Sequence, residues 1–215
     1  MTSAHKDLID ALLDRYGQTY CDQLHIPIAD DTPSPLFRWL CASILFSARI
    51  GAAQAVEAAA ALADAGWTTP EKLRAATWKE RVDVLNKNGY ARYDESTSRM
   101  LGETADYLIE TYDGDLRALR IKADGDEAEM RAALKAFKGL GDVGVDIFFR
   151  EVQTAWDELY PFADKKCLEA AQQLGLPHTA RGLAEHVSKA DFPRLVTSLV
   201  RASLDKAIDD IRQAG

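Results

Sequence analysis

The chain has 215 residues, enough for one substantial domain or two small lobes. Apolar residues make up 47% of it, so a real core can form, while 34 acidic residues against 26 basic ones leave a net charge of −8. That balance opposes indiscriminate attraction to nucleic acid and demands that any phosphate contact come from a local basic patch.

Cys21, Cys41 and Cys167 are odd in number and far apart, and no CxxC occurs, so no zinc or iron–sulfur framework follows from them. His5, His25, His178 and His186 show no metal-ligand spacing either, so no side-chain metal site is expected. The N-terminal MTSAHKDLIDALL is polar and unlike a signal peptide, and no apolar run approaches the ~20 residues of a membrane span. The expectation is a cytoplasmic protein that does not engage membranes.

Few segments alternate as strands do, and the apolar pattern is helical nearly throughout. His5 to Tyr16 reads as an amphipathic helix with Leu8, Ile9, Leu12 and Leu13 inward, Ser3 as its cap and Gly17 at its end. Residues 18 to 34 read as a loop. Pro35 opens an apolar helix, Leu36 to Ala48, and Ala52 to Ala65 forms the next, closed by Gly66. Thr69-Pro70-Glu71 and Thr77-Trp78-Lys79-Glu80 are helix starts. Asn86 to Tyr90 is a turn, and Ser96 to Tyr112 is a long helix. Residues 114 to 129 read as an acidic connector, Leu168 to Leu174 as a helix, and Phe192 to Ile211 as one last amphipathic helix.

The most informative stretch is Leu134 to Arg150, LKAFKGLGDVGVDIFFR. Leu134 and Phe137 share a helical face, Gly139 and Gly141 bracket Leu140, and Val143 and Ile147 begin a second apolar stripe. Two glycines this close permit backbone angles that other residues resist. A helix that starts straight after such a turn presents free amides and the positive end of its dipole, a phosphate site that reads no base.

Phe137-Lys138-Gly139-Leu140-Gly141-Asp142-Val143-Gly144-Val145 resembles the helix-hairpin-helix of the endonuclease III-like DNA glycosylases. Two further passages join it. Leu45-Phe46-Ser47-Ala48-Arg49 is similar to the end of the family's first conserved helix, and Phe162-Ala163-Asp164-Lys165-Lys166 falls where the family carries its catalytic aspartate. The resemblance covers about residues 35 to 177.

The resemblance implies an all-α fold of two helical lobes. One is a central lobe, 35–130. The other is built from 1–34 plus 131–215 and carries the helix-hairpin-helix (134–150) and Asp164 at the groove between them. It implies a base-excision enzyme that flips a damaged base out of double-stranded DNA and acts as a nucleoid-associated monomer. Asp164 would be the catalytic carboxylate. Lys138, Gly139, Leu140, Gly141, Val143 and Gly144 would meet the DNA backbone, with Lys166 nearby. Arg49 would enter the space left by the flipped base. Tyr90, with Arg92 beside it, would wedge into the duplex. Trp39 would line the base pocket, where its ring could hold a cationic base.

The departures from the family pattern shape the chemistry. Relatives that also cut the strand carry a lysine where this chain has Val143, so base release by water without strand cleavage is expected. Lys138 replaces the usual hairpin proline, and it or Lys166 is the residue a bifunctional alternative would need. A hairpin that binds DNA without catalysis is the remaining alternative. The four-cysteine cluster of many relatives is absent, and no cofactor is required. In the family a monovalent cation is often held by hairpin carbonyls. An alkylated base fits best, since its positive charge already weakens the glycosidic bond.

Overall fold

The computed structural model describes residues 3–214, with side chains from residue 5 onward, and no strand occurs among them. Helix α1 (Ser3–Tyr16) buries Leu8, Ile9 and Leu12. The capping expected of Ser3 concerns a side chain outside the described residues. Gly17 follows the helix because a Cβ there would strike the Leu13 carbonyl that accepts its amide. A single turn, α2 (Tyr20–Gln23), comes next.

Helix α3 (Pro33–Ser47) starts one turn earlier than the pattern suggests, with prolines at 33 and 35 in its opening turn, where their missing N–H groups leave nothing unpaired. It is buried almost all round. Helix α4 (Ala52–Asp64) lies against it, and Gly51 donates its amide to Gln54 Oε1 at the start. Thr69 caps α5 (Pro70–Ala75), and Thr77 and Glu80 form a reciprocal cap on α6 (Trp78–Leu85). A wide turn over 86–90, with Gly89 at φ +79°, leads into α7 (Asp94–Tyr112).

The presumed connector holds a helix. Asp115 caps α8 (Leu116–Lys122), which buries Leu116 and Leu119, and Asp126 caps α9 (Glu127–Leu134). Among the acidic residues that make this stretch look like a linker, Asp115 and Asp126 are caps and Glu127 pairs with Arg131 at 3.6 Å. Helix α10 (Asp142–Val152) follows the hairpin turn. Then come α11 (Lys165–Gln173), α12 (Ala180–Ala184), α13 (Phe192–Leu204) and α14 (Ile208–Ala214). The last two were expected as one helix. Lys206, at φ +57°, breaks it with a left-handed residue.

The chain divides into two compact units: residues 24–148, and the chain up to Gln23 together with Phe149 onward. The expected boundaries at 34/35 and 130/131 are therefore corrected, and the hairpin itself belongs to the central unit. Residues 24–34 are fastened there by Arg38, which donates to the Leu24 and His25 carbonyls, and by Asp31, which pairs with Arg120 at 3.0 Å. The hairpin is fastened there by Arg131–Asp146 at 2.8 Å and by close packing on α3 and α7. In the other unit α13 lies against α1 and α11, around Leu12, Phe192, Leu195 and Leu199.

Candidate functional site

In the central unit the hairpin turn is built on one glycine more than the other. Gly139 has φ +83°, and a Cβ there would lie 2.6 Å from Met100 Sδ and 3.2 Å from Ile44 Cγ2. Gly141 has an ordinary φ and open space around it. Leu140, between them, is buried, and its amide donates to the Phe137 carbonyl at 3.2 Å.

The first intrahelical bond of α10 runs from Val145 N to Gly141 O at 3.0 Å. The amides of Asp142, Val143 and Gly144 precede it and stand at the positive end of the helix. Gly144 lets this end sit on α3, since a Cβ there would fall 2.6 Å from Ser47 Oγ. Arg49 is exposed and follows Ser47 by two residues. Lys138 is exposed, and its carbonyl accepts from Thr104 Oγ1 at 3.5 Å.

An acidic residue shares this end of the hairpin. Asp142 is exposed and bonds Lys135 Nζ at 2.7 Å, and that bond holds its carboxyl below the usual range. A phosphate approaching the amides would meet this carboxylate too. Val143 is 64% exposed.

The hairpin carbonyls suit an alkali cation by donor type. The carbonyls of Phe137, Lys138 and Gly141 each accept one bond and keep a second lone pair.

Two expected DNA contacts are corrected. Tyr90 is 1% exposed and donates its hydroxyl to the Leu45 carbonyl at 2.8 Å, so it ties the 86–90 turn to the end of α3 and presents no wedge. Burial pushes its phenol up to about 12. Trp39 is fully buried, with Nε1 donating to the Phe148 carbonyl at 3.0 Å, so neither ring face can line a base pocket. Sequence position alone does not distinguish a core aromatic with a satisfied polar tip from an exposed one. Arg92 is exposed, its guanidinium 5.4 Å from the Tyr93 ring centre.

Asp164 lies in the other unit, as the N-cap of α11. Its Oδ1 accepts the Cys167 amide at 3.1 Å, and its Oδ2 accepts Arg150 Nε at 2.8 Å and Nη2 at 2.6 Å. The two side chains are 7% and 3% exposed. Burial works against the Arg150 charge, but the Asp164 charge and hydrogen bond outweigh it and raise the guanidinium further. Burial pushes the neighbouring Cys167 thiol up.

Arg150 escaped the sequence reading, although an arginine directly after Ile147-Phe148-Phe149 is a signal, because a charge inside an apolar stripe needs a partner. Two more buried polar residues follow, Glu151 on α10 and Gln153 just past its end. Glu151 accepts the Tyr20 and Cys21 amides and the Thr197 hydroxyl, and Gln153 brackets Phe162 through both its backbone groups. Lys166, on the first turn of α11, is exposed.

No protein-family model matches the chain, and no curated protein sequence matches it. Among solved structures, one of endonuclease III trapped as a covalent intermediate with DNA, an estranged-adenine complex, is similar. Its TM-score is 0.55 and its identity 16%, over 94% of this chain and 86% of that one. The chain therefore has the all-helical fold of endonuclease III.

Proposed function

We propose that this chain is a base-excision DNA glycosylase that flips a damaged, alkylated base from the duplex and hydrolyses its N-glycosidic bond without cutting the strand. One observation carries the reading. Gly139 and Gly144 seat the hairpin on α3, so the start of α10, with its free amides, packs against Ser47, two residues before the exposed Arg49.

In this reading a backbone phosphate rests on the amides of Asp142, Val143 and Gly144, with Lys138 alongside. A monovalent cation on the hairpin carbonyls would add a positive charge there. Arg49 donates to the base left unpaired by flipping. The departing base leaves positive charge on the sugar, which the Asp164 carboxylate stabilises, and water completes the hydrolysis. Val143 offers no amine, so no imine forms. A bifunctional enzyme would have to use Lys138 or Lys166, and borohydride trapping would reveal it.

The test is single-turnover base release from a duplex carrying one N-methylated purine. Asp164→Asn should still bind the duplex and lose release, whereas undiminished release would refute Asp164.

A second reading has a specific observation behind it. With one carboxylate oxygen held by Arg150, the other by a helix amide, and the side chain 3% exposed, Asp164 resembles a structural ion pair. On that reading the protein binds damaged DNA and releases nothing, and wild-type inactivity on every lesion would support it.

A further inference from the structure

Arg150 is a buried charged group for which the base-excision scheme has no use, and it touches the catalytic candidate directly. Its Nε and Nη2 both bond the same oxygen of Asp164, and its own carbonyl is fixed by Gln153 Nε2 at 2.8 Å. The bonds assigned to the Asp164 carboxylate come from a guanidinium and a backbone amide. Neither group can give up a proton near neutral pH. The carboxylate is therefore half-neutralised as a stabiliser of positive charge, and neither partner can serve as a general acid.

We infer that Arg150 is a specificity-determining residue: by neutralising Asp164 it limits the site to bases that already carry a positive charge while attached to the sugar. The inference rests on the base-excision reading and deepens it. When such a base leaves, the C1′–N bond breaks and its electron pair moves to the ring nitrogen, cancelling the charge. The base departs neutral with no acid needed. The sugar cation takes the oxygen of a water, and the proton of that water passes to solvent. A base that is neutral in the nucleotide would instead leave as an anion, and its transition state would need the full carboxylate charge or an acid.

The test measures binding, so it does not depend on turnover. Two duplexes are compared, one carrying a cationic 1-azaribose and one the uncharged tetrahydrofuran analogue. All phosphate contacts cancel in the ratio of their affinities. Wild type should prefer the cation, but by less than about tenfold, because Asp164 is already paired.

Arg150→Gln keeps a donor at the position of Nε but removes the charge, and should raise the preference at least about tenfold. Adding Asp164→Asn to it should abolish the gain. A wild-type preference already above about tenfold, or an Arg150→Gln ratio equal to wild type in a protein of unchanged circular dichroism, would overturn the inference. The wild-type ratio decides even if the variant does not fold. Absence of base release by wild type would count against the base-excision reading alone, because the affinity ratios are read separately.

Discussion

The hairpin's two glycines look equivalent in sequence and differ in the structure, so they give a paired test. Gly139→Ala forces a side chain into the left-handed region at φ +83°, which costs about 1–2 kcal/mol. The new Cβ would also lie 2.6 Å from Met100 Sδ and 3.2 Å from Ile44 Cγ2. Crowding of that kind in packed surroundings adds roughly 1–3 kcal/mol, toward the low end because the methionine can yield. A total of about 2–4 kcal/mol should lower the melting temperature by roughly 5–15 °C in a chain of this size. Gly141→Ala meets open space at an ordinary φ and should cost less than about 0.5 kcal/mol. Thermal unfolding by circular dichroism measures both, and fluorescence anisotropy with a labelled abasic duplex measures binding. Gly139→Ala should weaken DNA binding, because shifting the turn moves the start of α10. Equal melting temperatures for the two variants would refute the reasoning.

Four other outcomes follow. Asp142→Asn removes an exposed carboxylate from the amides assigned to phosphate and should tighten DNA binding about two- to fivefold at low salt, fading as salt rises. Tyr90→Phe should destabilise by about 1 kcal/mol in urea titration and leave DNA affinity unchanged, because the hydroxyl serves the Leu45 carbonyl. Asp164→Leu strands Arg150 in the core and should cost about 3–5 kcal/mol, and Asp164→Leu with Arg150→Met should recover much of it. Burial, followed by the nearby His5, depresses the pKa of His186 below the ordinary histidine value. The unfolded chain then takes up the proton first, so stability should be full above the ordinary value of about 6.5 and fall as pH drops below it. His186→Gln should flatten that part of a stability profile.

Helical class was legible because apolar spacing near 3.6 residues runs through almost every segment, and caps such as Thr69 and Thr77 mark the starts. The hairpin was legible from Gly139 and Gly141, though only the packing on Met100 and Ile44 distinguishes their roles. Residues 114–129 misled because the aspartates that cap α8 and α9 look, in composition, like those of a linker. Tyr90 and Trp39 misled for a related reason. Each lies where an aromatic could serve DNA, and only the carbonyl that each polar tip reaches reveals a core residue. Arg150 was overlooked because its partner is fourteen residues away across an irregular segment, a distance no periodic pattern records. The lobe boundary moved for the same reason: Arg131–Asp146 and Asp31–Arg120 are pairings that the linear order of charges does not announce.

The central claim is base release without strand cleavage, and it is tested most directly on duplexes that each carry one lesion: methylated purine, methylated pyrimidine, uracil or oxidised base. Each is incubated with the wild-type protein, and strand breaks are then scored with and without hot alkali. The account predicts breaks only after alkali, confined to the duplexes whose lesion is a cationic base. Breaks without alkali would contradict the assignment of Val143 to the nucleophile's position, and no breaks on any duplex would contradict base excision itself.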